Sequence, residues 1–101
     1  MENKIMDINI RRILGELEGK RHVCRRKFEP MKEEVYDFVI KYVRSKGPHM
    51  MSAKELYFYT QCELNQELQT TWRNSRTRER YEAVRNIFAI FNKHIPKEEA
   101  S

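Results

Sequence analysis

The residues that could do chemistry in this chain are mostly basic and closely set. Lys20, Arg21, Arg25, Arg26 and Lys27 put five positive charges into eight residues, and Arg73, Arg76, Arg78 and Arg80 form a second group near the C-terminal end. Closely spaced lysines and arginines neutralise neighbouring phosphates and release their counterions, so both groups are candidate nucleic-acid contacts. The whole chain leans the same way. It has 101 residues with 20 Lys and Arg against 15 Asp and Glu, a formal charge of +5 and a pI near 9.4. Such a balance favours polyanionic partners, of which nucleic acid is the commonest. The plainer alternative is that these side chains are solvated and do nothing specific. Residues 20–29 read as a basic connector between two helices, with room for a turn of helix and with Val23 and Phe28 as its only clear apolar anchors; it is either a phosphate-contacting arm or a solvated loop whose charges do nothing specific.

Other chemistries find less support. His22, Cys24, His49, Cys62 and His94 show no paired C-x-x-C or H-x-x-x-H spacing, whereas structural zinc takes four ligands delivered in close pairs. No metal site and no cofactor are expected. Two cysteines make no disulfide framework and suit a reducing compartment. There is no glycine-rich phosphate loop, no G-x-S-x-G and no carboxylate pair beside a plausible pocket, so an enzyme is not expected. MENKIMDINIRR carries no apolar run before a small-residue cleavage site, and no apolar stretch reaches membrane-spanning length. The expected location is cytoplasmic, or nuclear in a eukaryote.

Four helices must position these residues, at about 4–18, 30–46, 52–71 and 75–94. In the first, Met6, Ile10, Ile13 and Leu17 fall on one face, and Gly15 and Gly19 mark the stop. In the second, Pro30 sits in the opening turn, acids come early and bases late as the macrodipole favours, and Gly47-Pro48 ends the element. Gly47-Pro48-His49-Met50 also looks like what a protease site joined to a cloning site leaves behind. In the third, Ser52-Ala53-Lys54-Glu55 forms a capping box, and Tyr57, Leu64, Leu68 and Trp72 share a face. In the fourth, Asn74 and Ser75 offer a polar start, Tyr81, Val84, Phe88, Phe91 and Ile95 repeat at alternating threes and fours, and Pro96 stops the helix before a frayed 96–101 tail. The expected core is Val35, Phe38, Val39, Tyr42, Leu64, Leu68, Trp72, Val84, Phe88 and Phe91, with the first helix either packed on it or paired with a second copy.

One band does not fit a single face. Leu56, Tyr57, Phe58 and Tyr59 are four large apolar residues in a row, and they cannot all point inward. Either neighbouring helices flank this segment on both sides, or part of the band binds a protein partner.

Two architectures compete for the C-terminal half. A capped helix, a polar linker and a helix opening Ser75-Arg76-Thr77-Arg78 match the polarity of a helix-turn-helix recognition helix. Against it, the linker is long. The arginines also sit on the shoulders of the core stripe, where Arg78 pairs naturally with Glu82, and Glu79, Glu82 and Asn86 hold the outer face. The long helix with Leu64 and Leu68, the Asn74-Ser75-Arg76 corner and a closing helix with Tyr81 look somewhat like a KIX domain, a three-helix module for amphipathic activation segments. The N-terminal half departs from that family. The likeness implies only that these helices could build a groove for a partner helix.

The reading as a whole is an all-α, small four-helix domain with a helix-turn-helix-like variant left open. Its expected role is a basic regulator of nucleic acid or transcription that acts through Lys20, Arg21, Arg25, Arg26, Lys27, Arg73, Arg76, Arg78 and Arg80. The alternative is an adaptor or inhibitor that binds a protein through Leu56, Tyr57, Phe58 and Tyr59. A homodimer is compatible with either.

Overall fold

The computed structural model describes residues 6–97 and contains α1 (Ile8–Arg26), α2 (Pro30–Lys46), a 3₁₀ turn at Gly47–His49, α3 (Ala53–Gln69) and α4 (Arg78–His94). The four-helix all-α expectation holds. Residues 4–5 and 98–101, including most of the expected frayed tail, lie outside the described residues.

Ion pairs between helices report how they run. Arg25–Glu33, Arg21–Asp37 and Arg44–Glu18 join α1 to α2 in opposite order along the chain, so the two helices are antiparallel. Met31–Thr77 and Glu34–Arg80 share the same offset of 46 residues, so α2 and α4 run parallel. Tyr57 of α3 stacks on Phe91 and meets Asn92 of α4, while Trp72, just past α3, lies under Arg80. These contacts make α3 antiparallel to α4. The ends of α1 and the starts of α2 and α4 therefore share one pole. Met6, beside Gly47, and the end of α4 lie toward the other.

The packing explains which apolar residues went deepest. α1, α2 and α4 pack on one another, and α3 closes against α2 and α4. With neighbours on several sides, α2 buries two adjacent lines, Val35-Val39-Val43 and Tyr36-Ile40. Tyr36 and Ile40 fall outside the expected stripe, and burial pushes the Tyr36 phenol pKa up. Phe38, Tyr42 and Phe88 were expected inside and pack at the core margin. α1 joins the same core through Ile10, Ile13 and Leu17. Its first-helix stripe thus packs within the chain.

Caps fix the helix starts. Asp7 accepts from the amides of Asn9 and Ile10 at 2.8 and 3.2 Å. Ser52 Oγ accepts from Glu55 N at 3.2 Å, and Glu55 returns to the Met51 amide at 2.7 Å, one residue before the cap amide the sequence suggests. α4 starts later than expected because Thr77, not Asn74 or Ser75, is its cap and accepts from Arg80 N at 3.3 Å. Gly47 is buried, and a Cβ there would meet Ile10 Cγ2 and Met6 Cε at 3.2 Å. The Gly47–Met50 segment is therefore integrated into the packing of α1 against the end of α2.

The largest correction concerns 20–29. It is not a connector. Residues 20–26 are the last two turns of α1, and only Lys27, Phe28 and Glu29 link it to α2. Gly15 and Gly19 do not stop the helix because its apolar line continues to buried Cys24 and three ion pairs hold it against α2. Glycine inside a helix still costs about 1 kcal/mol relative to alanine. Nothing lies within 4 Å of a Cβ added at either glycine. Gly15→Ala and Gly19→Ala should each raise stability by about 0.5–1 kcal/mol in urea melts.

Ion pairs also set the response to acid. The His94 hydrogen bond, with help from Lys93, holds the Glu16 carboxyl below its usual range. Burial raises Asp37, but hydrogen bonds from Lys41 and Arg21 outweigh it and leave that pKa lowered too. A carboxyl with a depressed folded pKa contributes stability above its unfolded value, and the contribution is lost as pH falls through the folded pKa. The melting temperature should thus fall below about pH 4. Glu16→Gln with Asp37→Asn should flatten that fall.

Candidate nucleic-acid interface

The segments that carry the two basic groups approach each other at the pole where α1 ends and α4 begins. Thr77 Oγ1 donates to Met31 Sδ at 3.2 Å, and Glu79 shares a cleft with Phe28 to Lys32. The 73–76 segment runs beside α2 from Phe38, which meets Trp72 edge-on at 5.6 Å, to Met31. Arg73, Arg76 and Arg78 are thereby carried toward Arg26 and Lys27.

Not every residue of the two groups is available. Arg80 is buried, only 6% exposed. Its guanidinium lies 4.7 Å from the Trp72 ring centroid, donates to Glu34 Oε1 at 2.7 Å and reaches Ser75 Oγ at 3.3 Å. It is a structural residue, which corrects its place among the contacts. Arg21 is committed to Asp37 at 3.0 Å, and Arg25 to Glu33 at 2.7 Å with much of its side chain still in solvent. Lys20 lies away from the pole, in a shallow groove with Glu16, Asn86 and Lys93. Arg26, Lys27, Arg73, Arg76 and Arg78 are exposed and carry no ion pair among the described residues. The expected Arg78–Glu82 pair is absent among them, because Glu82 turns to Lys32 at 3.3 Å. Among the described residues, Glu79 is a carboxylate without an ion pair at this pole.

The residue that composition misplaces is Phe28. It reads as an apolar anchor, yet its ring is 88% exposed and its φ is +56°. The reason is the end of α1. The Phe28 amide bonds to the Arg25 carbonyl at 3.2 Å and the Glu29 amide to the Cys24 carbonyl at 2.9 Å. This is a Schellman motif, with Phe28 at the left-handed position that glycine usually fills. Beside the ring lies an open cleft of about 350 Å³ lined by Phe28, Glu29, Pro30, Met31, Lys32 and Glu79. Spacing alone could not find this site. The strained position exists only because α1 runs on to Arg26 and α2 begins four residues later.

The aromatic band divides. Leu56 is fully buried, and Tyr57 packs between Phe88 and Phe91, so neither is free to bind a partner. Phe58 and Tyr59 remain exposed and meet edge-on at 5.3 Å. The α3–α4 connection from Thr70 to Thr77 is twice the length of the usual helix-turn-helix turn. Among the described residues no group of three or more His, Cys, Asp or Glu is arranged to hold a metal ion, and no helix is long and apolar enough to cross a membrane. Comparisons with protein-family models, curated proteins and solved structures find no match to this chain, so neither the KIX likeness nor any other family assignment has support there.

Arg80 offers a direct check of which arginines are structural. Arg80→Ala removes a charge-assisted hydrogen bond and the contact with Trp72, and should cost about 2–3 kcal/mol in chemical denaturation. Arg78→Ala, on the exposed face, should stay within about 0.5 kcal/mol of the unaltered protein.

Proposed function

We propose that the protein associates with nucleic acid through the pole formed by the end of α1, the start of α2 and the start of α4. The observation that carries this reading is the convergence of Arg26, Lys27, Arg73, Arg76 and Arg78, unpaired among the described residues, on an end of the bundle where the other acids are largely taken up by internal ion pairs. Phosphates approaching this end would meet mobile, solvated cations whose counterions they can release. No recognition helix is required. The start of α4 is partly consumed by Arg80, and Glu79 stands among its outward residues, so contacts to the backbone of the nucleic acid would dominate over reading of base edges.

A second reading has its own observation. The exposed Phe58–Tyr59 pair on α3 could seat a protein partner or another copy of the chain. The two readings separate by salt and by site.

Anisotropy titrations with labelled oligonucleotides should give a slope of log affinity against log salt of about −3.5 on single strands, or about −4.5 on duplex, if five phosphates are neutralised. Arg26→Glu with Lys27→Glu, or Arg76→Glu with Arg78→Glu, should weaken binding at least tenfold across all sequences while Phe58→Ala leaves it unchanged. Absence of binding to both strands and duplex at low salt would refute the nucleic-acid reading.

A further inference from the structure

We infer that Phe28 is a stacking platform for an unpaired base, so that the basic pole takes single-stranded nucleic acid in preference to duplex. This inference rests on the nucleic-acid reading above and adds the class of ligand.

The argument starts from a residue that folding alone does not explain. Phe28 occupies a backbone conformation that glycine adopts freely and bulky side chains rarely do. Its ring gains nothing from the core, because it is 88% exposed. It belongs to none of the aromatic pairs among the described residues. A strained, solvated aromatic is disfavoured twice, by its backbone and by its exposure, and such positions concentrate at binding sites.

Its surroundings select the ligand. Arg26 and Lys27 precede it, and the start of α4, with Arg76 and Arg78 on either side of Thr77, lies across the cleft. An aromatic face set among unpaired cations is the arrangement that holds a nucleic-acid strand, with rings taking bases and cations taking phosphates. In a duplex the base faces are already stacked inside, and a ring standing out from a convex pole cannot reach them. A single strand presents them. The cleft beside the ring has apolar walls in Pro30 and Met31, and the Glu79 carboxylate can accept from an N–H on a base edge, such as the thymine N3–H. An anionic lipid surface would also suit the cations. There, however, the ring could enter only by bringing Glu29 and Glu79 against the headgroups, and a single aromatic is a small anchor. Met6 and the end of α4 lie away from this pole.

The test uses the full chain with Phe28→Gly and Phe28→Trp. Binding is measured by anisotropy to a labelled oligothymidine, to its duplex with oligoadenine, and by co-sedimentation with phosphatidylglycerol vesicles. Phe28→Gly should lose roughly tenfold on the single strand and little on the duplex, and its melting temperature should rise because glycine relieves the left-handed strain. Opposite signs in stability and binding rule out unfolding as the cause. F28W should keep single-strand affinity, and its indole emission should change on binding. Equal affinity for strand and duplex, or unchanged binding by Phe28→Gly, overturns the inference and leaves the electrostatic reading standing. No oligonucleotide binding by the unaltered protein removes both. If vesicles alone are bound, and only with Phe28 present, the pole is a membrane contact instead.

Discussion

A buried guanidinium holds the C-terminal half of this fold in place. Arg80 lies over the Trp72 indole and bonds to Glu34 and Ser75. A charge taken out of water must find compensation, and here that comes from an aromatic face and a hydroxyl on the α3–α4 connection and a carboxylate on α2. The arrangement is directional. It fixes the α3–α4 connection against α2, and it sets the register in which α4 runs parallel to α2. Thr77 then falls beside Met31, and the start of α4 is placed beside the end of α1. Arg80 thereby helps set where Arg73, Arg76 and Arg78 stand relative to the end of α1. Its Nη1 is buried without a hydrogen-bond partner among the described residues.

Helix content and much of the core were legible from periodicity, because Ile10-Ile13-Leu17, Val35-Val39-Val43 and Val84-Phe91 keep their spacing through burial. What was not legible has definite physical causes. The end of α1 was hidden because glycine spacing resembles a stop signal, while the ion pairs that carry the helix past Gly19 lie on another element. The role of Arg80 was hidden because an arginine on the shoulder of a stripe looks the same in sequence whether it meets solvent or an indole. Leu56 and Tyr57 stayed among the partner-binding candidates because four large residues in a row do not say which neighbour covers which. The candidate site was half visible. Its cations were found in the sequence, but Phe28 was read backwards, since hydrophobicity predicts burial and only the Schellman turn turns the ring outward.

The distribution of charge follows from competition for partners. Glu33 and Asp37 are taken by Arg25 and Arg21 on the α1 face, while Glu34 and Glu82 are taken by Arg80 and Lys32 near α4. Exposed pairs of this kind contribute little individually to stability. Their larger effect is on the field. Each acid bound within the bundle is drawn toward its partner, and residual positive charge is left at the ends of elements, where Arg26, Lys27, Arg76 and Arg78 carry no ion pair among the described residues and Glu79 is the nearby acid. A modest net charge of +5 can in this way act as a localised one.

The parallel course of α2 and α4 sets an orientation for the whole molecule. α4 is 17 residues long and so carries the chain about 25 Å from Thr77, while Met6 lies against Gly47 near the far end of α2. A tether attached before Met6 or after Lys97 would hold the bundle from behind and present the Phe28 pole outward. Immobilised on a sensor, or appended to another protein through either end, the chain would keep that face free.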